Sequence, residues 1–161
     1  MNAYQTAVHE AGHAVIARVL GLTCRLVTIV PDEEKGTLGC AHVESPDDAW
    51  WRWIDLGKER DQFVAYRARM IVNLAGEEAE REMLGAISDG YDSDYESTTA
   101  CAMEMSDVAF DPDQRMMRRL RRQTVRLVRK HCDKIERVAA ALVEQRTLSG
   151  DEIDALVRQS P

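Results

Sequence analysis

The sequence predicts a mainly helical α+β domain with a small β-sheet beside its first helix. Three observations carry that reading. Apolar residues recur at helical spacing over most of the 161 residues. Two short runs near the front are instead rich in β-branched residues and bounded by turn signals. Neither an internal repeat nor a flexible linker divides the chain, so one domain, 1–161, is expected, with 110–161 supplying its C-terminal helices.

Composition narrows the class. With 45% hydrophobic and 30% charged residues the chain is ordinary globular material. Its net charge of −7 argues against a surface given over to nucleic acid. No apolar run approaches the roughly 18 residues of a membrane span, and the charged N-terminus lacks a signal-peptide layout. Cys24, Cys40, Cys101 and Cys132 are scattered, with no CxxC pair, as expected of reduced thiols in the cytoplasm.

The elements follow in order. From Tyr4 to Leu20, Val8, Ala11, Val15 and Val19 mark an amphipathic helix stopped by Gly21. Arg25 to Val30 reads as a strand ending at Pro31. Asp32 to Gly36 is a turn, and Thr37 to Val43 a second strand, its hairpin partner. Gly39 there implies a bulge or a close backbone approach. Ser45 to Asp48 opens a helix carrying Trp50, Trp51 and Trp53. A long helix runs from about Asp61 to Leu84, closed by Gly85, and a polar loop, Ser88 to Asp94, leads to another from roughly Tyr95 to Ala109. Asp111-Pro112-Asp113 starts a helical stretch from Gln114 to Gln145 that has a possible break near His131. Ser149 and Glu152 form a capping-box pattern opening a short last helix.

The chemistry centres on AVHEAGHAV, residues 7 to 15. On a helix, His9 and His13 share a face and can offer two imidazoles to one ion. Zinc favours neutral imidazole nitrogen, and a catalytic site keeps one position for water. Glu10 sits about 100° round the helix from His9, where its carboxylate can serve that water as base and later protonate a leaving amine. Gly12 costs about 1 kcal/mol against Ala in a helix interior, which implies close packing. A strand lying over the site would supply it. The bland alternative is a pair of helix histidines satisfied by hydrogen bonds.

A third ligand is needed, and spacing alone leaves it open. His42 suits a half-buried strand contact, and His131 a solvated place in a basic helix. Asp94 stands at the mouth of a helix amid Asp89, Asp92 and Glu96, where it or Asp92 could simply be a cap. Glu77, Glu78 and Glu80 are rivals on the long helix.

Nearly the whole chain resembles the peptidase domain of FtsH-type ATP-dependent zinc metalloproteases. AVHEAGHAV resembles that family's zinc helix, and VTIVPDEEKGTLGCAHV its following strand, proline turn and cleft strand. VNLAGEEAEREMLG is similar to its Gly-x-x-Ala-Glu helix, SDYESTTACA to its Ser-Asn-Asp-x-x-x-Ala-Thr segment, and IERVAAALVEQRTLSGDEID to its C-terminal helices. The resemblance implies a zinc metalloendopeptidase with Zn²⁺ on His9, His13 and Asp94, and Glu10 as base. Glu80 matches a family glutamate and would orient a ligand imidazole. Thr37, Leu38 and Gly39 would belong to the strand that binds an extended peptide by adding it to the sheet.

Departures from the family qualify this. The family carries membrane helices and an AAA+ module ahead of the peptidase, whereas eight residues precede His9 here, and no Gly-x-x-x-x-Gly-Lys-Ser/Thr loop occurs. The expectation is therefore cleavage of unfolded or flexible polypeptides without an ATPase of its own, or with a separate unfoldase. The family's hexamer is not carried over, and its asparagine before the ligand aspartate is Ser93.

Two features compete for a role. The three tryptophans cannot all share one helix face, and packing on the domain is preferred to a partner contact. Arg115 to Lys130 holds eight basic residues, read as a solvated face balanced by the acidic run from Glu77 to Glu96. The rivals to an enzyme are an inactive metal-binding interaction protein and a nucleic-acid-binding regulator. The intact Glu10 disfavours the first, and the acidity the second.

Overall fold

The fold is that of a computed structural model defining residues 2–34, 36–85, 92–105 and 114–159, with side chains placed at 96–103 and 115–159 in the last two stretches. In chain order the elements are α1 (Ala3–Leu20), β1 (Cys24–Thr28), β2 (Cys40–Val43), α2 (Pro46–Asp55), α3 (Gln62–Leu84), α4 (Asp92–Met105), α5 (Gln114–Lys130), α6 (Cys132–Gln145), β3 (Thr147–Ser149) and α7 (Gly150–Arg158). The mainly helical α+β class is as expected.

Helix α1 is the axis of the molecule. Asn2 caps it by accepting from the Gln5 N–H at 2.8 Å. Gly21 ends it in the left-handed conformation, φ 82°, returning its N–H to Ala17 and Arg18. Every residue from Thr6 to Ala17 is buried, so the helix is enclosed rather than amphipathic. Its apolar side chains pack with Met70, Ile71 and Leu74 of α3, Ile135, Val138 and Leu142 of α6, and Val27 of β1 in one continuous core.

Helix α3 lies antiparallel to α1, since His9 meets Glu80 while His13 meets Val72. Asp61 caps it and Gly85 closes it, as the sequence implies. Gly12 is where the two helices touch. A β-carbon there would lie 2.7 Å from the Ala75 carbonyl oxygen and 2.8 Å from Ala79 Cβ. The crowding expected at Gly12 is therefore real, but its source is a helix and not a strand.

The sheet has the order β2-β1-β3, all antiparallel. The hairpin of β1 with β2 is as expected; both strands are shorter. Past Thr28, the end of β1, Ile29 N–H still reaches the Arg146 carbonyl in register with β3, and Val30 N–H turns back to Thr28 Oγ1. β2 starts at Cys40 because the chain at Gly39 is pressed against α1, while Thr37 bridges Asp32 across the turn. The unexpected strand is β3. Arg146 ends α6 at φ 69°, and the three residues that follow pair with β1 before Ser149 and Glu152 form the capping box of α7.

Ser45 caps α2, Trp53 is buried against Gly21, and Trp51 is exposed, so the tryptophans divide as their spacing requires. The long basic stretch breaks at His131, where α5 gives way to α6. Arg121 bonds Glu77 and Glu78, and Arg129 bonds Glu82, which ties part of α5 to the acidic end of α3. Helix α4 begins at Asp92, three residues earlier than the pattern suggests, and Asp111-Pro112-Asp113 lies outside the described residues.

Candidate metal centre

A row of side chains at four-residue intervals along α1 builds the site: Gln5, His9 and His13. His9 Nδ1 lies 2.8 Å from Glu80 Oε1, and His13 Nδ1 lies 2.7 Å from the Val72 carbonyl oxygen. Both partners can only accept when Glu80 is ionised, so both Nδ1 atoms carry the proton. The second Glu80 oxygen accepts from Gln5 Nε2 at 3.0 Å. Glu80 is 0% exposed, and a buried carboxylate is stable only when paired in this way.

The consequence appears on the other edge of the rings. His9 Nε2 and His13 Nε2 face each other at 2.9 Å, with the rings nearly perpendicular at 78°. With Nδ1–H fixed on each ring, the two Nε2 lone pairs point toward one another. Lone pairs repel unless a cation stands between them, either a proton on one ring or a metal ion. Neutral imidazoles with Nδ1–H anchored to a carboxylate and a carbonyl are the donor set that zinc takes. The two histidines fit the ion.

Gly76 makes room for this pair. A β-carbon there would stand 2.5 Å from Nε2 of both histidines and from His9 Cε1. Glu10 is buried on the neighbouring face of α1. Gly39 covers it closely: a β-carbon at that position would lie 2.9 Å from Glu10 Cγ, 2.9 Å from Thr6 Cγ2 and 2.8 Å from the Thr28 carbonyl oxygen. The close approach expected at Gly39 is present, with Leu38 exposed beside it.

The remaining candidates fall as follows. Asp94 lies within the first turn of α4, not at its mouth, and its side chain is outside those described. Among the described residues no group of three or more His, Cys, Asp or Glu could hold a metal. Glu77 and Glu78 are engaged by Arg81 and Arg121, and Glu80 by the outer nitrogen of His9. His42 is exposed on β2. His131 stands at the N-cap position of α6 with no side-chain capping bond, its pKa lowered by partial burial and then by Lys134 and Lys130. Burial pushes the Cys24 thiol up to about 11 against the pull of Arg18, so it is not a thiolate ligand near neutrality. Gly76 and Gln5 went unrecognised from sequence. A glycine in the interior of a long helix is itself the signal for Gly76, as it was for Gly12.

Comparison with known proteins bears on the same residues. The model of peptidase family M41 matches residues 2–109. The ATP-dependent zinc metalloprotease FtsH 2 of Sphaerobacter thermophilus is 30% identical over 96% of this chain and 27% of its own length. FtsH 1 of Thermomicrobium roseum is 29% identical over 94% of the chain and 28% of its length. FtsH 1 of Symbiobacterium thermophilum is 32% identical over 98% and 29%. The chain thus spans under a third of these relatives.

Proposed function

The chain belongs to peptidase family M41, and on that premise we propose that it is a zinc-dependent metalloendopeptidase cutting unfolded or flexible polypeptides. The observation that carries the reading is the convergence of two Nε2 lone pairs, with both Nδ1 atoms anchored, one residue from a buried glutamate. His9, His13 and Asp94 would hold the ion. Zinc, when bound, supplies Lewis acidity toward the scissile carbonyl and toward water.

The protein's own groups do the rest. Glu80 and the Val72 carbonyl keep the histidines in the tautomer whose Nε2 lone pair is a metal donor. Glu10 takes a proton from the attacking water on its carboxylate and passes it to the departing amine. An extended substrate would add to the edge of the sheet at β2, beside Thr37, Leu38 and Gly39, where the absence of a side chain at Gly39 lets the backbone run close to Glu10.

The relatives are named as ATP-dependent enzymes. The 161 residues contain no phosphate-binding loop, so we assign them the hydrolytic step, with unfolding supplied by an ATPase where it is needed. No helix among the described residues is long and apolar enough to cross a membrane. All four cysteines are thiols and not disulfides, which supports the cytoplasmic location we propose. The test is metal content measured alongside casein cleavage. About one zinc per chain and cleavage abolished by chelator are expected; cleavage that persists in the metal-free protein would refute the assignment.

A further inference from the structure

Gln5 stands one helical turn before His9 on α1, and both reach the same carboxylate. Glu80 Oε1 accepts from His9 Nδ1 at 2.8 Å, and Glu80 Oε2 accepts from Gln5 Nε2 at 3.0 Å. A carboxylate bonded at one oxygen can still turn about the Cγ–Cδ bond. Bonded at both, by two residues on one rigid helix, it has its plane fixed. The donor is also a neutral amide. It orients the buried anion without neutralising it, so the charge stays available to the imidazole. A lysine or arginine in this place would compete with His9 for that charge.

We propose that Gln5 is a positioning residue for the metal centre, a clamp that aims Glu80 at His9 and so holds His9 Nε2 toward His13 Nε2. The inference rests on the metal reading above and extends it to a residue outside the HEAGH core. Gln5 is itself half-buried in the first turn of α1, so its replacement by an apolar residue of similar size leaves the core intact.

The experiment measures zinc affinity by chelator competition, together with the visible spectrum of the cobalt-loaded protein, in wild type, Gln5→Leu, Glu80→Ala and the double variant. Removing a direct outer partner of a ligand histidine weakens metal binding roughly 10- to 100-fold, and Glu80→Ala falls in that range. Gln5→Leu acts one bond further out and weakens it by about 3- to 10-fold, with shifted cobalt bands and unchanged helical circular dichroism of the metal-free protein at 25 °C. In the Glu80→Ala background Gln5→Leu has no further effect, because the carboxylate it positions is gone. Wild-type affinity and spectrum in Gln5→Leu would overturn the clamp. So would an equal loss with and without Glu80. If the wild type takes up neither zinc nor cobalt, the metal reading falls and the clamp with it.

Discussion

A β-carbon on Gly76 would stand 2.5 Å from Nε2 of His9, inside any permissible contact distance. The same atom would meet His13 Nε2 at 2.5 Å, so this one position on α3 supports both rings. Gly76→Ala should therefore swing the imidazoles apart and reduce zinc affinity by at least about 100-fold. Alanine favours the interior of a helix over glycine by about 1 kcal/mol, which offsets part of the strain. Expected is a variant that keeps its helical circular dichroism and loses its metal, read by dialysis against limiting zinc. Retention of wild-type affinity would mean that the rings move freely out of this geometry.

Cysteine chemistry tests the packing around the site. Cys24 is fully buried, with its thiol raised to about 11, while Cys132 is exposed at the start of α6. Alkylation in the native state at pH 8 should modify Cys132 and spare Cys24, which should react only after unfolding. Peptide mapping after brief iodoacetamide treatment distinguishes the two. Equal labelling would show that the β1 face of the core opens readily.

Acid should weaken the C-terminal cap. The Ser149 hydroxyl and then its N–H hold the Glu152 carboxyl below its ordinary 4.5. A carboxyl with a lowered folded-state pKa contributes stability above its unfolded value, and that contribution is lost as pH falls through the folded value. Glu152→Gln should lower the urea midpoint at pH 6 and shrink the fall between pH 6 and pH 3. Parallel pH profiles for the two proteins would rule the capping carboxylate out as a contributor.

The helices were legible because their signals are local. Gly21, Asp61, Gly85, Ser45 and the Ser149–Glu152 pair end or open them where the sequence places those residues. β3 was not, since three residues carry no periodicity and their strand character comes from pairing with β1. The start of α4 was misplaced because Asp92, Ser93 and Asp94 are residues of loops and caps as much as of first turns.

At the site, His9, Glu10 and His13 were readable from spacing on one helix. The company they keep was not. Glu80 pairs with His9 across 71 residues of chain, and His13 with a backbone carbonyl that has no side-chain signature at all. Gly12 advertised close packing, yet nothing in the sequence told whether a strand or α3 supplied it.

Glu10 is proposed to act as the base beside a metal held by its helix neighbours. Glu10→Gln is nearly isosteric and lies off the face that bears His9 and His13. Casein cleavage by this variant, measured with its bound zinc in the same sample, is the most direct test. Full zinc occupancy is expected, with turnover reduced by about 100-fold or more. Unreduced cleavage with zinc in place would contradict it.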